Sequence, residues 1–394
     1  MGFDLYNGEN RGMDLNKLTW KELRKEFSFV KEVFEQPDAL EDLINYYSSG
    51  EGLENLKQAK EEWDENKFRQ VIFTGMGSSL YAALPASIIL NQKGNIVESS
   101  ELLYYSLNPD FSNNMMQKEK ILLIMVSQSG ESGEIVKILG QLEKLPNNIS
   151  VWGITNNYNS TLFKKAHRGF LLKAGRELSV TSKSYCNSVV FLYLLSRILT
   201  LKSQADVQDV IKALIADIQD LSEEIAHLLS DQISIAEKLV DFIGKDVKFI
   251  EIIARGTSMA TALQASLNIK ETNKIPAEAS SGGQFRHGPI EIINKDFRAI
   301  LLSSDKQTRE LQENMAWDIT HKWGGGKVLY ITNELQKRLE GEARVFQCVH
   351  GIKDPFLATV MEMILIQLFM LKLAIECGIK PGVFRYSSKI TKDG

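Results

Sequence analysis

Ile121-Leu122-Leu123-Ile124-Met125-Val126, followed by Ser127-Gln128-Ser129-Gly130-Glu131-Ser132, is the stretch from which the rest of the chain is read. An unbroken apolar run of this length predicts a strand buried on both faces, as in a parallel sheet. The hexapeptide after it is a hydroxyl-rich turn, and a helical pattern follows. Such a turn offers small hydroxyl donors and free backbone N–H groups at a helix N-terminus, where the helix dipole favours an anion. The turn contains no Lys or Arg, and the Lys-Ser/Thr pair of a nucleotide P-loop is absent. These features point to a small phosphorylated ligand rather than a nucleoside triphosphate. An ordinary strand-to-helix turn has a similar composition, so context must separate the two.

A second segment supplies context. Val71-Ile72-Phe73-Thr74 is another β-rich apolar run, with Gly75-Met76-Gly77-Ser78-Ser79 after it. Leu80, Ala83, Leu84, Ile88 and Leu90 then recur at helical spacing. Ser78 or Ser79 can cap that helix and face a ligand. The dinucleotide fingerprint needs a third glycine three residues after Gly77; Leu80 stands there, which argues against a dinucleotide.

The chain also repeats itself. Gly77-Ser78-Ser79-Leu80-Tyr81-Ala82-Ala83-Leu84-Pro85-Ala86-Ser87 matches Gly256-Thr257-Ser258-Met259-Ala260-Thr261-Ala262-Leu263-Gln264-Ala265-Ser266 at six of eleven positions. A strand-like run, Lys248 to Ala254, precedes the second copy. The next strand is echoed by Arg298-Ala299-Ile300-Leu301-Leu302, and there the copies diverge to Ser303-Ser304-Asp305. Asp305 would repel a phosphate, so the first copy is read as the phosphate site and the second as a related fold with another task.

Length and composition set modest bounds. A chain of 394 residues accommodates two domains, each with its own core. The formal charge of −4 and the lack of a basic stripe argue against nucleic acid. Cys186, Cys348 and Cys377 show no metal-ligand spacing, which fits reduced thiols, a cytoplasmic setting and no metal. The start, Met1-Gly2-Phe3-Asp4, lacks the pattern of a signal peptide. Val360 to Ile375 is apolar but interrupted by Glu362, Gln367 and Lys372, which disfavours a membrane span.

Alternating patterns predict an α/β fold with two doubly wound parallel sheets. Strands are expected near 69–74, 95–99, 121–126 and 149–154, then near 247–254, 298–303, 327–331 and 344–349. The expected organisation is an N-terminal helical segment (1–65), a first, phosphate-binding subdomain (66–200), connecting helices (201–245) and a second subdomain with a C-terminal tail (246–394). Residues 181–243 read as two long helices, and 355–377 as one.

The quoted segments resemble the sugar isomerase (SIS) domain family, and within it the isomerase half of the glucosamine-6-phosphate synthases. Matching pieces are Gly77-Ser78-Ser79, Ser127 to Ser132, Glu177-Leu178-Ser179-Val180-Thr181-Ser182-Lys183, Leu267-Asn268-Ile269-Lys270-Glu271, and Pro276-Ala277-Glu278-Ala279 through Gly283-Gln284-Phe285-Arg286-His287-Gly288-Pro289. The likeness covers roughly 65–392. It extends less closely to amino-sugar phosphate isomerase/deaminases and fructosamine-phosphate deglycases. It implies Ser79, Ser127, Gln128, Ser129 and Ser132 as phosphate ligands. Ser182 and the backbone around Val180 fall on the part that holds the sugar's C1–C3 groups.

Aldose–ketose interconversion needs an opened ring and a proton moved between C1 and C2, which one carboxylate beside both carbons can do. Glu271 ends an apolar helical stretch, so partial burial would raise its pKa toward working pH. Spacing alone favours a helix-terminal Glu paired with Lys270 or Lys274; the resemblance reverses that, because Glu271 falls on the family's isomerisation base. His287, before Gly288-Pro289, sits in a good exposed loop and can shuttle protons near neutrality. The family places a histidine here for ring opening, contributed across a homodimer interface. His167, His227, His321 and His350 have no motif and read as surface or incidental. Lys389 matches the family's Schiff-base lysine in the C-terminal tail.

Two departures stand out. The synthases open with a glutaminase domain and its nucleophilic cysteine, whereas here no cysteine precedes Cys186. Asn268 replaces the lysine one turn before the base, which leaves the synthase's substrate and direction in doubt. The expectation is therefore a cytoplasmic phosphosugar isomerase/deaminase acting on a 6-phosphorylated amino sugar or ketosamine, with no metal or organic cofactor. A fructosamine-6-phosphate deglycase, a plain ketose/aldose phosphate isomerase and a non-catalytic sugar-phosphate sensor are the alternatives. The helical residues 15–67 show no basic recognition helix of the kind a transcriptional sensor carries.

Overall fold

The computed structural model describes residues 14–90, 94–107, 119–143, 148–202, 207–230, 232–386 and 389. The leader reading at Met1–Asp4 lies outside them.

Four helices come first: α1 (Trp20–Glu26), α2 (Ser28–Phe34), α3 (Gln36–Ser48) and α4 (Gly50–Asn66). Thr19 and Glu22 cap α1 reciprocally, and Pro37 starts α3 where a missing N–H costs nothing. The first sheet follows: β1 (Gln70–Gly75), α5 (Ser78–Ala82), α6 (Leu84–Ile89), β2 (Gly94–Glu98), β3 (Ile121–Val126), α7 (Gly133–Leu142), β4 (Ile149–Thr155) and β5 (Arg168–Leu171). Three helices come next: α8 (Lys183–Leu199), α9 (Val207–Ser230) and α10 (Gln232–Ile243). The second half has β6 (Ile250–Ala254), α11 (Met259–Asn273), β7 (Ala277–Ser281), β8 (Arg298–Ser303), α12 (Arg309–Trp317), β9 (Lys327–Thr332), β10 (Val345–Val349) and α13 (Pro355–Glu376).

Both sheets are wholly parallel and share one topology. Their orders are β2-β1-β3-β4-β5 and β7-β6-β8-β9-β10. The expected α/β fold with an internal repeat is what forms. Three details differ from expectation. The 181–243 region holds three helices, not two. The short strands β5 and β7 carried no sequence signal: one spans four residues, and the other reads Ala-Glu-Ala-Ser-Ser without a β-branched or aromatic side chain.

Burial parity shows how the halves join. In β3, Leu122, Ile124 and Val126 enter a large central cluster, while Ile121, Leu123 and Met125 pack on the opposite face. In β8, Ile300 and Leu302 enter the same central cluster, and Ala299 and Leu301 a third. Each strand is thus buried on both faces, which is why neither alternates in hydrophobicity. Helices α8 and α13 lie in the central cluster. Among the described residues α13 is the one helix long and apolar enough to cross a membrane, and 89% of its apolar window is buried in the protein. Its polar residues have internal partners, as where Gln36 Nε2 donates to Gln367 Oε1 at 2.7 Å.

Candidate active site

The chain leaves β1 outward to β2 and crosses back to β3, so the carboxyl ends of β1 and β3 form a topological switch point. Sheets of this order bind ligands in the crevice left there. Gly77, at φ +51°, makes the left-handed turn that delivers Ser78 and Ser79 to the start of α5. After β3, Gly130 adopts φ +65°, and a Cβ there would fall 2.3 Å from Ser160 Oγ.

The Ser127–Ser132 turn is held by its own polar groups. Gly130 N–H donates to Ser127 Oγ at 3.1 Å, and Glu131 N–H to Ser129 Oγ at 3.2 Å. The Glu131 carboxylate accepts from the Thr161 N–H at 2.6 Å and its hydroxyl at 2.9 Å. Because the backbone occupies acceptor sites on Ser127 and Ser129, their hydroxyl hydrogens remain available as donors. Ser132 stands at the N-cap of α7 without capping it, so its hydroxyl and the first N–H groups of the helix are also available.

Ser79, Ser127, Gln128, Ser129 and Ser132 converge on one cavity of about 230 Å³. Met76, Ser78, Val126, Thr181, the α8 residues Ser184, Tyr185 and Ser188, and Lys389 also line it, with Glu134 of α7 as the one carboxylate among the described residues of its wall. Many hydroxyl and N–H donors, one ammonium and a helix N-terminus form an environment that favours an oxyanion. Val180, fully buried in the core, and Ser182 do not line this cavity; their neighbour Thr181 does.

Ser182 instead belongs to a network centred on Glu177, a residue quoted in the sequence motif without a role. The Glu177 side chain is fully buried. It accepts from the Ser182 and Ser184 N–H groups at 2.9 and 3.1 Å, from Ser184 Oγ at 2.6 Å, and from Lys389 Nζ at 2.6 Å. Burial pushes its pKa up, but the Lys389 charge and these donors outweigh that and hold it below the ordinary carboxylate value. Lys389 also reaches Thr181 Oγ1 at 3.3 Å. This pairing occupies the Lys389 side chain, and nucleophilic attack by it would need the contact with Glu177 to loosen.

The N-terminal helices brace the same loop. Glu32 of α2 accepts from the Leu178 N–H at 2.5 Å and the Ser179 N–H at 3.3 Å. Glu35 pairs with Lys183 at 2.7 Å. From the second half, Asn268 Nδ2 donates to the Thr181 carbonyl at 2.9 Å, so the position that departs from the synthases contacts the site loop.

Glu271 occupies the last turn of α11. Burial raises its pKa, while Lys389 and Lys274 pull it down by less. The ion pair with Lys270 or Lys274 that spacing alone favours does not form: Lys270 Nζ donates to Ser266 Oγ at 3.0 Å, and Lys274 Nζ to the backbone carbonyls of Glu271 and Val383. Glu271 lines a second cavity together with Lys274, Phe384 and Arg385, not the serine cavity. Lys389, in the wall of the serine cavity, is near enough for its charge to act on Glu271. His287 is exposed on a turn after a short helix (Gly282–Phe285) and lines neither cavity. A single chain therefore brings together Lys389 and the five residues expected to hold the anion, with Glu271 within reach of that lysine's charge, and leaves His287 outside.

His350 is not the surface or incidental histidine that its lack of a motif predicts. It is largely buried, and its Nε2 lies 3.0 Å from Ser304 Oγ. No group of three or more metal-ligating side chains occurs among the described residues.

The SIS domain profile matches residues 66–198 and 245–376, one match on each half. This chain belongs to the SIS domain family. It is 26% identical over 365 residues to a glutamine–fructose-6-phosphate aminotransferase of Caldanaerobacter subterraneus, covering 90% of this chain and 57% of the relative. A Pyrococcus horikoshii protein of the same name is 27% identical, covering 96% and 60%. The chain thus spans less than two thirds of these relatives. Among solved structures, a putative tagatose-6-phosphate ketose/aldose isomerase from Clostridium novyi superposes with a TM-score of 0.79 at 19% identity, covering 98% and 99% of the two chains. A glucosamine-6-phosphate deaminase from Thermotoga maritima gives 0.65 at 19% identity, covering 93% and 100%. These structural likenesses establish the shared fold.

Proposed function

We propose that this SIS protein is a phosphosugar isomerase/deaminase that acts on a 6-phosphorylated amino sugar or ketosamine. The observation that supports this reading is the convergence of Ser79, Ser127, Gln128, Ser129 and Ser132 on one cavity with Lys389 in the same wall, and Glu271 within reach of that lysine's charge. The phosphate binds the Ser79 and Ser127–Ser132 donors, which fixes one end of the sugar. His287 opens the ring, delivered from the neighbouring copy in a cytoplasmic homodimer. Glu271, with a raised pKa, moves the proton between C1 and C2. Lys389 leaves Glu177 to form an imine or to position the carbonyl. The names of the relatives support this reaction class without selecting the sugar.

The test is a panel of hexosamine 6-phosphates and fructosamine 6-phosphates, assayed for ketose formation and for ammonia or amine release. The unphosphorylated sugars are the control. Turnover restricted to phosphorylated members is expected. Tight binding of the whole panel with no turnover would replace the enzyme by a sensor.

A further inference from the structure

The second sheet has its own switch point, between β6 and β8, and the backbone there copies the first. Gly256 adopts φ +56° where Gly77 adopts +51°. Ser258 occupies the repeat position of Ser79, and by strand register Ser303 occupies that of Ser127 and Ser304 that of Gln128. In the first half Ser79 and Gln128, the counterparts of Ser258 and Ser304, line a cavity. In the second half both donate to one atom: Ser258 Oγ lies 2.9 Å and Ser304 Oγ 2.5 Å from Glu362 Oε1. Glu362 is fully buried and comes from α13. The helix facing the first cradle, α8, offers Ser184 and Ser188 instead and leaves the space open.

A hydrogen-bonded chain feeds this carboxylate. Ile352 N–H donates to His350 Nδ1 at 3.2 Å, which assigns the proton to Nε2. Nε2–H then donates to Ser304 Oγ, and the Ser304 hydroxyl hydrogen is directed at Glu362. Glu362 Oε2 has no hydrogen-bond partner. The donors that meet a phosphate in one half meet a side-chain carboxylate in the other.

We infer that Glu362 is a built-in carboxyl group filling the second half's copy of the phosphate cradle, and that the cradle, once vacated, takes up a small external oxyanion. The chain accordingly keeps one exchangeable anion site out of two inherited turns.

The test uses the full chain carrying Ser127→Ala, which weakens the first cradle and makes the second the reporter. Thermal unfolding is followed at pH 8 against sodium formate and inorganic phosphate, with chloride at equal ionic strength as reference. With Glu362 in place, neither anion should move the midpoint beyond chloride. With Glu362→Ala, the midpoint should climb with the logarithm of formate or phosphate concentration, because a ligand that binds only the folded chain stabilises it. Glu362→Gln fills the cradle with a neutral amide and should behave as the parent. No response of Glu362→Ala to either anion overturns the inference, as does an equal response in Glu362→Gln. Should Glu362→Ala fail to fold in chloride, recovery on refolding into formate supports the inference. If it recovers in neither salt, the wild-type chain decides by calorimetry: saturation at one phosphate per chain supports the inference, and two per chain overturns it.

Discussion

The two halves share strand order, the parity with which strands bury their side chains, and a left-handed glycine after the first strand. They differ in what stands above the turn. In the first half small hydroxyl side chains of α8 leave a cavity; in the second, Glu362 of α13 closes it. The comparison teaches that a repeated backbone supplies the donors, while the residue on the facing helix decides whether an external ligand can use them.

The largest expected effect concerns the chemistry between the halves. Glu271→Gln keeps shape but removes the proton acceptor, so kcat should fall by roughly 10²- to 10⁴-fold. KM for the sugar phosphate should change far less, since the phosphate donors lie in the other half. Steady-state kinetics on the best substrate of the panel decides; near-normal turnover would remove Glu271 from the mechanism.

The second effect is pH-dependent. Burial raises Glu362 to about 7, more than the Ser304, Ser258 and Thr261 hydroxyls lower it. A carboxyl whose folded pKa is raised stabilises the fold when protonated. That contribution is complete below its ordinary pKa and is lost as pH rises through about 7. Glu362→Gln should therefore gain on the wild type between pH 5 and 8, by an amount on the order of 3 kcal/mol at most. His350, lowered to about 4 by burial, stays neutral across that window and is common to both proteins. Denaturant midpoints at pH 5 and pH 8 measure the gain; a constant difference would show that Glu362 does not titrate there.

The third sets a serine of the first turn against a serine of the second. Ser127→Ala removes a donor to a charged group, worth about 1.5–3 kcal/mol, so KM should rise roughly 10- to 150-fold. Ser304→Ala, in the second half's turn, should leave KM unchanged. A similar rise from both would mean the second turn also meets the substrate.

The smallest effect tests the backbone itself. Gly77→Ala and Gly256→Ala place a Cβ in the left-handed region, each costing about 1–2 kcal/mol of stability. Added Cβ atoms would meet only ordinary contacts, 3.6 Å from Leu267 Cδ2 and 3.4 Å from Asp305 Oδ2. Equal losses in denaturant unfolding would confirm that the turns are equivalent; unequal ones would limit the comparison to topology.

Legibility followed local information. Ile121–Val126 announced a doubly buried strand because each residue carries that requirement itself, and the serines after it were readable because a turn and its helix are consecutive in sequence. The Gly77 and Gly256 segments disclosed the repeat for the same reason. The strand β7 was not legible: Ala277–Ser281 pairs with β6 through backbone groups that every residue possesses. The role of Glu177 was hidden because Lys389, its partner, lies far along the chain.

What the sequence determined by itself was the α/β class, the repeat and the set of hydroxyl donors, all properties of short contiguous segments. Tertiary structure alone decided which donors stay open. Sequence points to Asp305 as the acid that excludes a phosphate from the second turn, yet Glu362, contributed by a helix more than fifty residues further on, is the carboxyl group that fills it. Hydrogen-bond donors are written locally, but whether the space before them is empty depends on which side chain a distant helix buries there.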